Sequence, residues 1–324
     1  LAQAVDSGAS DIHVEPEELR FTVRMRVDGV LHTHMVQPAE RYPAIGSRIK
    51  LIAGLDIAEK RLPQDGRITL RLSGQDMDIR VSTAPGVHGE SIVMRLLPKN
   101  RGTLSLEKLG FEPDHLSLLH SWLACPNGIV LVTGPTGSGK STTLYAALQR
   151  MDATQGNIMT VEDPIEYELP GVGQTQVNAK IDLDFAKALR AILRQDPDVI
   201  MIGEMRDGET AEIAVQAALT GHLVLSTLHT NDAPSAISRL LELGVPHYLL
   251  KATLLGVMAQ RLVRRICPEC RSTYIAPPEL IERFGWQARG QVMLARGRGC
   301  RNCYDSGYKG RLAIHELIEI DRPL

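Results

Sequence analysis

The chain has 324 residues, of which 44% are apolar, and its 36 basic residues nearly balance its 38 acidic ones. This length predicts about two domains, and the near-neutral charge argues against a general attraction to nucleic acid or to an anionic membrane. The longest apolar runs, GIVLVTG and HLVLSTL, fall far short of the roughly 20 residues that cross a bilayer, and without a secretory signal the default location is the cytoplasm.

The first part of the chain alternates apolar and polar side chains in short segments: LRFTVRMRVDGVL, GRITLRLSG, DMDIRVST and ESIVMRLL. This alternation predicts a half-buried sheet, interrupted by a helix near RYPAIGSRIKLIAG. Residues 98–110 are polar and rich in turn formers, which predicts a domain boundary. We therefore expect a smaller N-terminal α+β domain at 1–100, a linker at 101–110 and a second domain at 111–324.

The second part alternates continuous apolar strands with helices. GIVLVTG, NIMTVED, VIMIGEM and HLVLSTL are each followed by a helical pattern. Buried strands joined by helices predict an α/β fold with a parallel sheet that is covered on both faces. The order of the strands does not follow from the sequence.

GPTGSGKS, residues 134–141, matches the phosphate-binding pattern G-x-x-x-x-G-K-[ST] between a predicted strand and a predicted helix; we call it the phosphate loop. Its glycines let backbone N–H groups point at phosphate oxygens at a helix N-terminus. Lys140 is expected to reach the β and γ phosphates of ATP, and Ser141 to ligate Mg²⁺. The predicted nucleotide contacts are Gly134, Pro135, Thr136, Gly137, Ser138, Gly139, Lys140, Ser141 and Thr142.

Carboxylates at strand ends are the candidates for orienting the attacking water. Glu162 and Asp163 end NIMTVED, and because adjacent strand residues face opposite sides, only one of them can face the γ-phosphate. Glu204 ends VIMIGEM, and Gly203 beside it leaves room for a close approach. The alternative is that these acids cap helices or lie in loops.

Five cysteines divide into a single residue and two Cys-x-x-Cys pairs. Cys125 is expected to be a small buried apolar residue. Cys267, Cys270, Cys300 and Cys303 predict a closed tetrahedral zinc site of structural type within an insertion at 264–306. The neighbouring arginines at 264, 265, 271, 298 and 301 would suit a nucleic-acid-binding ribbon, but the acids and the few aromatics of the segment argue against it.

Four ordered segments resemble the Walker A, Asp-box, Walker B and His-box segments of the secretion ATPase superfamily: GPTGSGKSTTLYAAL, TVEDPIEYELPGVGQTQVN, ILRQDPDVIMIGEMRDGETA and TGHLVLSTLHTNDA. That superfamily powers type II secretion, type IV pilus assembly and pilus retraction. The tetracysteine element and the segment VHGESIVMRLL make the chain most similar to type II secretion ATPases. Motors of pilus assembly are the alternative.

The resemblance implies a RecA-like motor domain behind a PAS-like N-terminal domain, in a homo-hexamer under an inner-membrane platform of secretion proteins. It implies that Glu162 acts as the general base and that Glu204 polarises the water around Mg²⁺. Arginines that neutralise the γ-phosphate are expected from Arg80 and Arg95 in the first domain and from Arg190, Arg194 and Arg206 in the second.

The resemblance also places His222 and His229, which flank HLVLSTL, among the groups that approach the phosphates. The alternative is that both histidines bind backbone groups at the strand ends. Two other functions remain open from the residues alone. One is a nucleic-acid translocase with a zinc ribbon, and the other is a nucleotide-gated scaffold without hydrolysis.

Overall fold

The computed structural model describes residues 1–98, 105–286 and 290–320. Within them, the N-terminal part forms an antiparallel six-stranded sheet in the order β3-β2-β1-β6-β5-β4. Its strands are Asp11–Pro16 (β1), Arg20–Val27 (β2), Val30–Pro38 (β3), Gln64–Leu72 (β4), Gln75–Gly86 (β5) and Gly89–Pro98 (β6), and its helices are Ala2–Asp6 (α1) and Tyr42–Ile52 (α2). The predicted sheet and its helix are confirmed.

The core of this first sheet lies under α2. Phe21 and Ile92 are fully buried there, and the Phe21 ring lies 5.7 Å from the Tyr42 ring. A buried ion pair joins α2 to β6, because Lys50 Nζ lies 2.8 Å from Glu90 Oε1. Burial of both charges makes each group depend on the other.

The second sheet has seven strands within the described residues, in the order β15-β12-β7-β11-β10-β8-β9. Its strands and those of a small two-stranded sheet (β13 and β14) are Gly128–Thr133 (β7), Ile158–Glu162 (β8), Gly173–Gln176 (β9), Val199–Ile202 (β10), Leu223–Leu228 (β11), Leu254–Ile266 (β12), Arg271–Ile275 (β13), Met293–Gly297 (β14) and Tyr308–Glu319 (β15). Neighbours from β12 to β9 run parallel, whereas β15 is antiparallel to β12.

Helices cover both faces of the second sheet. They are Pro113–Leu123 (α3), Lys140–Arg150 (α4), Phe185–Ile192 (α5), Gly208–Leu219 (α6), Ala233–Glu242 (α7) and His247–Thr253 (α8), and Pro278–Arg283 (α9) lies beyond β13. Short 3-10 helices span Ala39–Arg41, Leu106–Lys108, Ala179–Ile181 and Arg301–Cys303. Along β7, Val130 packs in the cluster of α3 and α4, whereas Ile129 packs in the cluster of α5 to α8. This alternation confirms the predicted α/β sheet with two covered faces.

Residues 101–104 of the predicted linker lie outside the described residues. Leu106, near its other end, is 1% exposed and belongs to the same buried cluster as Trp122 and Tyr145. Residues just before α3 therefore pack on the core of the second sheet.

Cys125 is partly exposed and its Sγ donates to the Ser121 carbonyl at 3.4 Å, so the prediction of a buried Cys125 is wrong. It lies in the turn after α3, between the exposed residues Ala124 and Pro126. Within the parts of the chain that the structure describes, none of the helices is both long and apolar enough to span a membrane.

Candidate active site

The phosphate loop joins β7 to α4 in a conformation that its glycines make accessible. Gly134 has φ 144° and Gly139 has φ 91°, values that L side chains rarely adopt. A side chain at Gly134 would also collide with the Gln260 carbonyl oxygen. The glycines therefore let the backbone of the loop, rather than side chains, line the space in front of the first turn of α4.

The loop fits a phosphate anion by its own chemistry. The first turn of α4 presents unpaired N–H groups at the positive end of the helix dipole. Among the described residues, no hydrogen-bond partner reaches the buried Oγ of Ser138. Lys140 is 8% exposed, and its Nζ donates to the Gly134 carbonyl at 2.7 Å. A buried ammonium and an unsatisfied hydroxyl are groups that a phosphate oxygen would satisfy.

Gln260 of β12 fixes the loop, and the sequence analysis did not identify it. This side chain is 2% exposed. Its Nε2 donates to the Ser138 carbonyl at 2.8 Å, and its Oε1 accepts from Thr143 Oγ1 at 2.7 Å. One amide thus ties the loop and the first turn of α4 to the neighbouring strand.

Four predicted site residues meet at the carboxyl edge of the sheet, and we call them the Lys140 cluster: Lys140, Glu204, Arg206 and His229. His229 Nδ1 lies 3.4 Å from Lys140 Nζ, and its Nε2 lies 3.4 Å from Glu204 Oε2. Glu204 also pairs with Arg206. The strands β7, β10 and β11 are parallel neighbours, so the residues that follow them lie at one edge.

The charges in this cluster depend on one another. Burial, together with the Lys140 ammonium, lowers the pKa of His229 below its usual value, although Glu204 opposes this. A neutral imidazole can accept from Lys140 through Nδ1 and donate to Glu204 through Nε2. Burial also lowers the pKa of Lys140, and the Glu204 carboxylate counteracts it. The Glu204 carboxylate therefore favours the cationic form of Lys140.

A pair of threonines holds His229 next to the phosphate loop. Thr133, the last residue of β7, accepts from the Thr230 backbone N–H at 2.9 Å and donates to the Leu228 carbonyl at 3.1 Å. Thr133 is fully buried. The end of β11 is consequently fixed to the strand that enters the loop.

Glu162 forms its hydrogen bonds with residues other than those of the Lys140 cluster. Its side chain is 4% exposed, and it accepts hydrogen bonds from Tyr145, from Thr160 at 2.6 Å and from Gln174 at 3.0 Å. Asp163 is exposed, as expected for adjacent strand residues that face opposite ways. A Cβ atom at Gly203 would lie 3.3 Å from the Val161 carbonyl oxygen and 3.4 Å from Glu162 Cα, so a side chain there would pack closely against the end of β8.

The predicted arginines occupy separate places. Arg80 and Arg95 are cross-strand neighbours on β5 and β6. Arg80 donates to the Ile165 carbonyl at 3.1 Å, next to the end of β8, whereas Arg95 pairs with Asp11 at 3.0 Å inside the first sheet.

Arg190 of α5 and Arg194, two residues beyond the end of that helix, are exposed. Arg190 pairs with Glu209 at 2.6 Å, and Arg194 donates to the Arg190 carbonyl at 2.9 Å. Of the predicted arginines, these contacts bring Arg206 to the Lys140 cluster and Arg80 to the segment after Glu162.

His222 does not join His229. It precedes β11, whereas His229 follows it, and a strand of this length separates them by about 20 Å. His222 Nδ1 lies 2.8 Å from the Ala217 carbonyl, which is the backbone contact of the alternative interpretation. The structure thus places His222 at the opposite edge of the sheet from Lys140. The sequence already contained this information: His222 precedes β11 and Lys140 follows β7, so in a parallel sheet the two residues lie at opposite edges.

The four paired cysteines converge between β12 and β15. All four sulfurs lie within 4.8 Å of one another, with separations of 3.9 Å for Cys267–Cys300, 3.8 Å for Cys270–Cys303 and 3.6 Å for Cys300–Cys303. Tetrahedral zinc with bonds of about 2.3 Å requires separations of about 3.8 Å. The thiol cluster fits zinc, and its spacing is too long for a disulfide.

A mostly parallel sheet with a phosphate loop and a strand-end carboxylate at its carboxyl edge defines a P-loop protein of the RecA-like ATPase class. The chain belongs to the Type II/IV secretion system protein family, whose sequence model matches residues 1–324. The resemblance noted from the four motifs is thereby confirmed.

Relatives with similar sequences carry type II secretion names. Type II secretion system protein HxcR of Pseudomonas aeruginosa is 59% identical over 321 residues, which cover 99% of this chain and 65% of the relative. Type II secretion system ATPase E of Vibrio cholerae is 53% identical over 324 residues, covering 100% of this chain and 64% of the relative. The chain thus spans just under two thirds of the length of these curated relatives.

Two solved structures have a fold similar to that of this chain. The pilus retraction motor PilT with bound ADP aligns with a TM-score of 0.60 at 31% identity, covering 90% of this chain and 80% of that one. The ATPase DotB of Legionella pneumophila aligns with a TM-score of 0.67 at 23% identity, covering 98% and 79%. The second likeness supports the fold alone.

Proposed function

We propose that this chain is the motor part of a type II secretion ATPase, which hydrolyses ATP with Mg²⁺ to drive pseudopilus assembly and protein export. The observation that carries the proposal is the Lys140 cluster beside the phosphate loop. There a buried ammonium, a neutral imidazole and a carboxylate meet where the terminal phosphates would lie. The type II secretion names of the relatives support the choice over a pilus-assembly motor.

The residues divide the work of hydrolysis among them. Lys140 and the N–H groups of the loop bind phosphate oxygens, and Ser141 is the residue that would hold Mg²⁺, which neutralises phosphate charge when bound. Glu204 favours the cationic form of Lys140 and would polarise the water around the metal. Glu162 takes the proton of the attacking water, and Arg206 and His229 respond to the γ-phosphate.

We infer that the protein works as a cytoplasmic homo-hexamer attached to the inner membrane through partner proteins. In such a ring, Arg80 and Arg95 of the first sheet would help to neutralise the γ-phosphate, and the segment from His222 to His229 would relay the loss of that phosphate to the ring interface. Zinc held by Cys267 and its three partners would have a structural role, because a closed four-thiolate shell has no open position for catalysis. It would stiffen the segment between β12 and β15.

Turnover measurements test the proposal. Lys140→Ala and Glu204→Gln should each lower Mg²⁺-dependent ATP hydrolysis by about 100-fold or more, since each removes a group aimed at the phosphates. Lys251→Ala and Glu242→Gln are matched controls, because both residues lie exposed on helices α8 and α7, and they should keep turnover. Unchanged turnover in both site variants would contradict the assignment.

Two further measurements separate the alternatives. A translocase predicts that DNA stimulates turnover strongly, whereas the secretion motor does not. A non-hydrolysing scaffold predicts no turnover in any assembly state. Sedimentation with and without nucleotide tests the hexamer, and recovery of secretion components with the protein from native membranes tests the partners.

A further inference from the structure

Tyr145 of α4 holds the carboxylate of Glu162. This tyrosine is 1% exposed and follows Lys140 on the same helix. Its hydroxyl donates to Glu162 Oε2. Burial, reinforced by that carboxylate, raises the pKa of Tyr145, so the hydroxyl stays protonated and serves as a donor at every working pH.

The hydrogen bonds around Glu162 leave it little freedom. Oε1 accepts from Thr160 Oγ1 at 2.6 Å and from Gln174 Nε2 at 3.0 Å, which engages both of its lone pairs. Oε2 accepts from Tyr145, which leaves Oε2 with one further acceptor position. The direction of that position is set by where the Tyr145 hydroxyl stands.

Tyr145 also contacts the segment that follows Glu162. Its oxygen accepts from the Glu166 backbone N–H at 3.2 Å, and the preceding carbonyl, that of Ile165, accepts from Arg80 of the first sheet at 3.1 Å. The hydroxyl therefore connects the helix that begins at Lys140 with the segment that Arg80 contacts. Both bonds change together if that helix moves.

The geometry points to Tyr145 as a positioning residue for ATP hydrolysis, a role that rests on the proposed function of Glu162. Its hydroxyl directs the remaining acceptor position of Glu162 Oε2 to the attacking water. In that step the water oxygen bonds to the γ-phosphorus, and the bond to the ADP oxygen breaks with its electron pair leaving on ADP. The water proton passes to Glu162 Oε2, while Tyr145 keeps its own proton.

The variant Tyr145→Phe tests this role, because it keeps the ring and removes the hydroxyl. Loss of a hydrogen bond to a charged group should lower kcat by about 10- to 100-fold. The KM for ATP and the affinity for ADP should stay within about two-fold, since the phosphate loop is untouched. Tyr42→Phe is the matched control, because it removes a partly buried hydroxyl that donates to the Glu90 carbonyl in the first sheet, and it should keep kcat.

A double variant shows whether Tyr145 acts through Glu162. If it does, adding Tyr145→Phe to Glu162→Gln lowers kcat no further. A further loss of the same size as in the single variant would overturn the inference. So would a parallel loss of ADP affinity, because that is what a merely structural role produces.

The outcomes also separate this inference from the proposed function. If Glu162→Gln loses turnover but Tyr145→Phe keeps the kcat of the unsubstituted protein, the role of Tyr145 is wrong and the motor stands. If Glu162→Gln keeps full turnover, the proposed base is wrong and the role of Tyr145 falls with it. Absence of any turnover in the unsubstituted protein would overturn both.

Discussion

Gln260 is the residue whose replacement should disturb the phosphate loop most directly without touching nucleotide. Gln260→Leu keeps the approximate size of the side chain but removes both hydrogen bonds, from Nε2 to the Ser138 carbonyl at 2.8 Å and from Thr143 Oγ1 to Oε1 at 2.7 Å. At 2% exposure the site offers little room for water to replace the amide. Two polar groups would then lie buried without these partners.

The size of the effect follows from those two groups. Each buried group left without a partner costs about 1–3 kcal/mol, but the Thr143 hydroxyl can turn to a carbonyl of its own helix. We therefore expect a loss of about 3 kcal/mol, which corresponds to a fall of roughly 6–12 °C in the thermal unfolding midpoint of a domain of this size. ADP affinity should fall by about ten-fold, because binding must also order the loop.

Calorimetric unfolding and ADP titration measure the two effects. Gln216→Leu is the control, since Gln216 lies exposed on α6, and it should shift neither quantity. A Gln260→Leu protein that unfolds within about 2 °C of the unsubstituted protein, with unchanged ADP affinity, would refute the role of this amide.

Three further substitutions test other parts of the chain. Lys50→Met should lower the free energy of unfolding by about 3–5 kcal/mol, because it leaves the Glu90 carboxylate buried without its ion pair, as denaturant unfolding of the protein would show. Cys270→Ser should remove bound zinc and lower the unfolding midpoint, as metal analysis and calorimetry would show. Burial lowers the pKa of His315 to about 4, whereas the pKa of an unfolded histidine is about 6.5. Between these two values the unfolded chain binds a proton that the folded chain does not. The free energy of unfolding therefore falls as the pH drops from about 6.5 towards 4. His315→Phe should reduce that loss, as unfolding midpoints at several pH values would show.

Each of these has a control or a contradicting outcome. Lys60→Met replaces an exposed lysine and should be neutral, so equal effects at positions 50 and 60 would contradict the buried pair. Cys125→Ser should keep the metal, and a Cys270→Ser protein with a full zinc complement would refute the four-sulfur site. An imidazole signal of His315 that titrates near pH 6.5 would contradict its burial against Phe111, whose ring lies 3.8 Å away.

Much of the fold follows from side-chain patterns, because burial of one face of a strand or helix requires apolar residues at a regular spacing along the chain. Ile12 and Val14 of β1 are both buried, yet two apolar residues were too few to predict that strand. The longer alternations of β2, β4, β5 and β6 were sufficient, whereas most of β3 lies beyond the predicted segments. The strands β7, β8, β10 and β11 are mostly apolar and buried at nearly every position, because helices cover both faces of the sheet. The order of the strands, and the antiparallel edge formed by β15, depend on contacts between distant segments and carry no local signal.

The candidate site was predictable where a pattern implies backbone geometry. The phosphate loop and the cysteine pairs have fixed spacings, and residues that follow parallel strands share one edge, so Lys140, Glu204 and His229 were within reach. Gln260 was not, because a single glutamine on a distant strand has no spacing to recognise. Tyr145 lies among the apolar residues of α4, where an aromatic ring is expected to be a core residue, and only the hydroxyl contacts reveal more.

One consequence of β12 concerns mechanical transmission. Gln260, near the middle of β12, is hydrogen-bonded to the phosphate loop, and Cys267 follows the last residue of the strand. About 23 Å of extended chain therefore separates Gln260 from Cys267. Pairing with β15 along most of that length stiffens it. A displacement of the phosphate loop at Gln260 would therefore be transmitted along this strand to the thiol cluster.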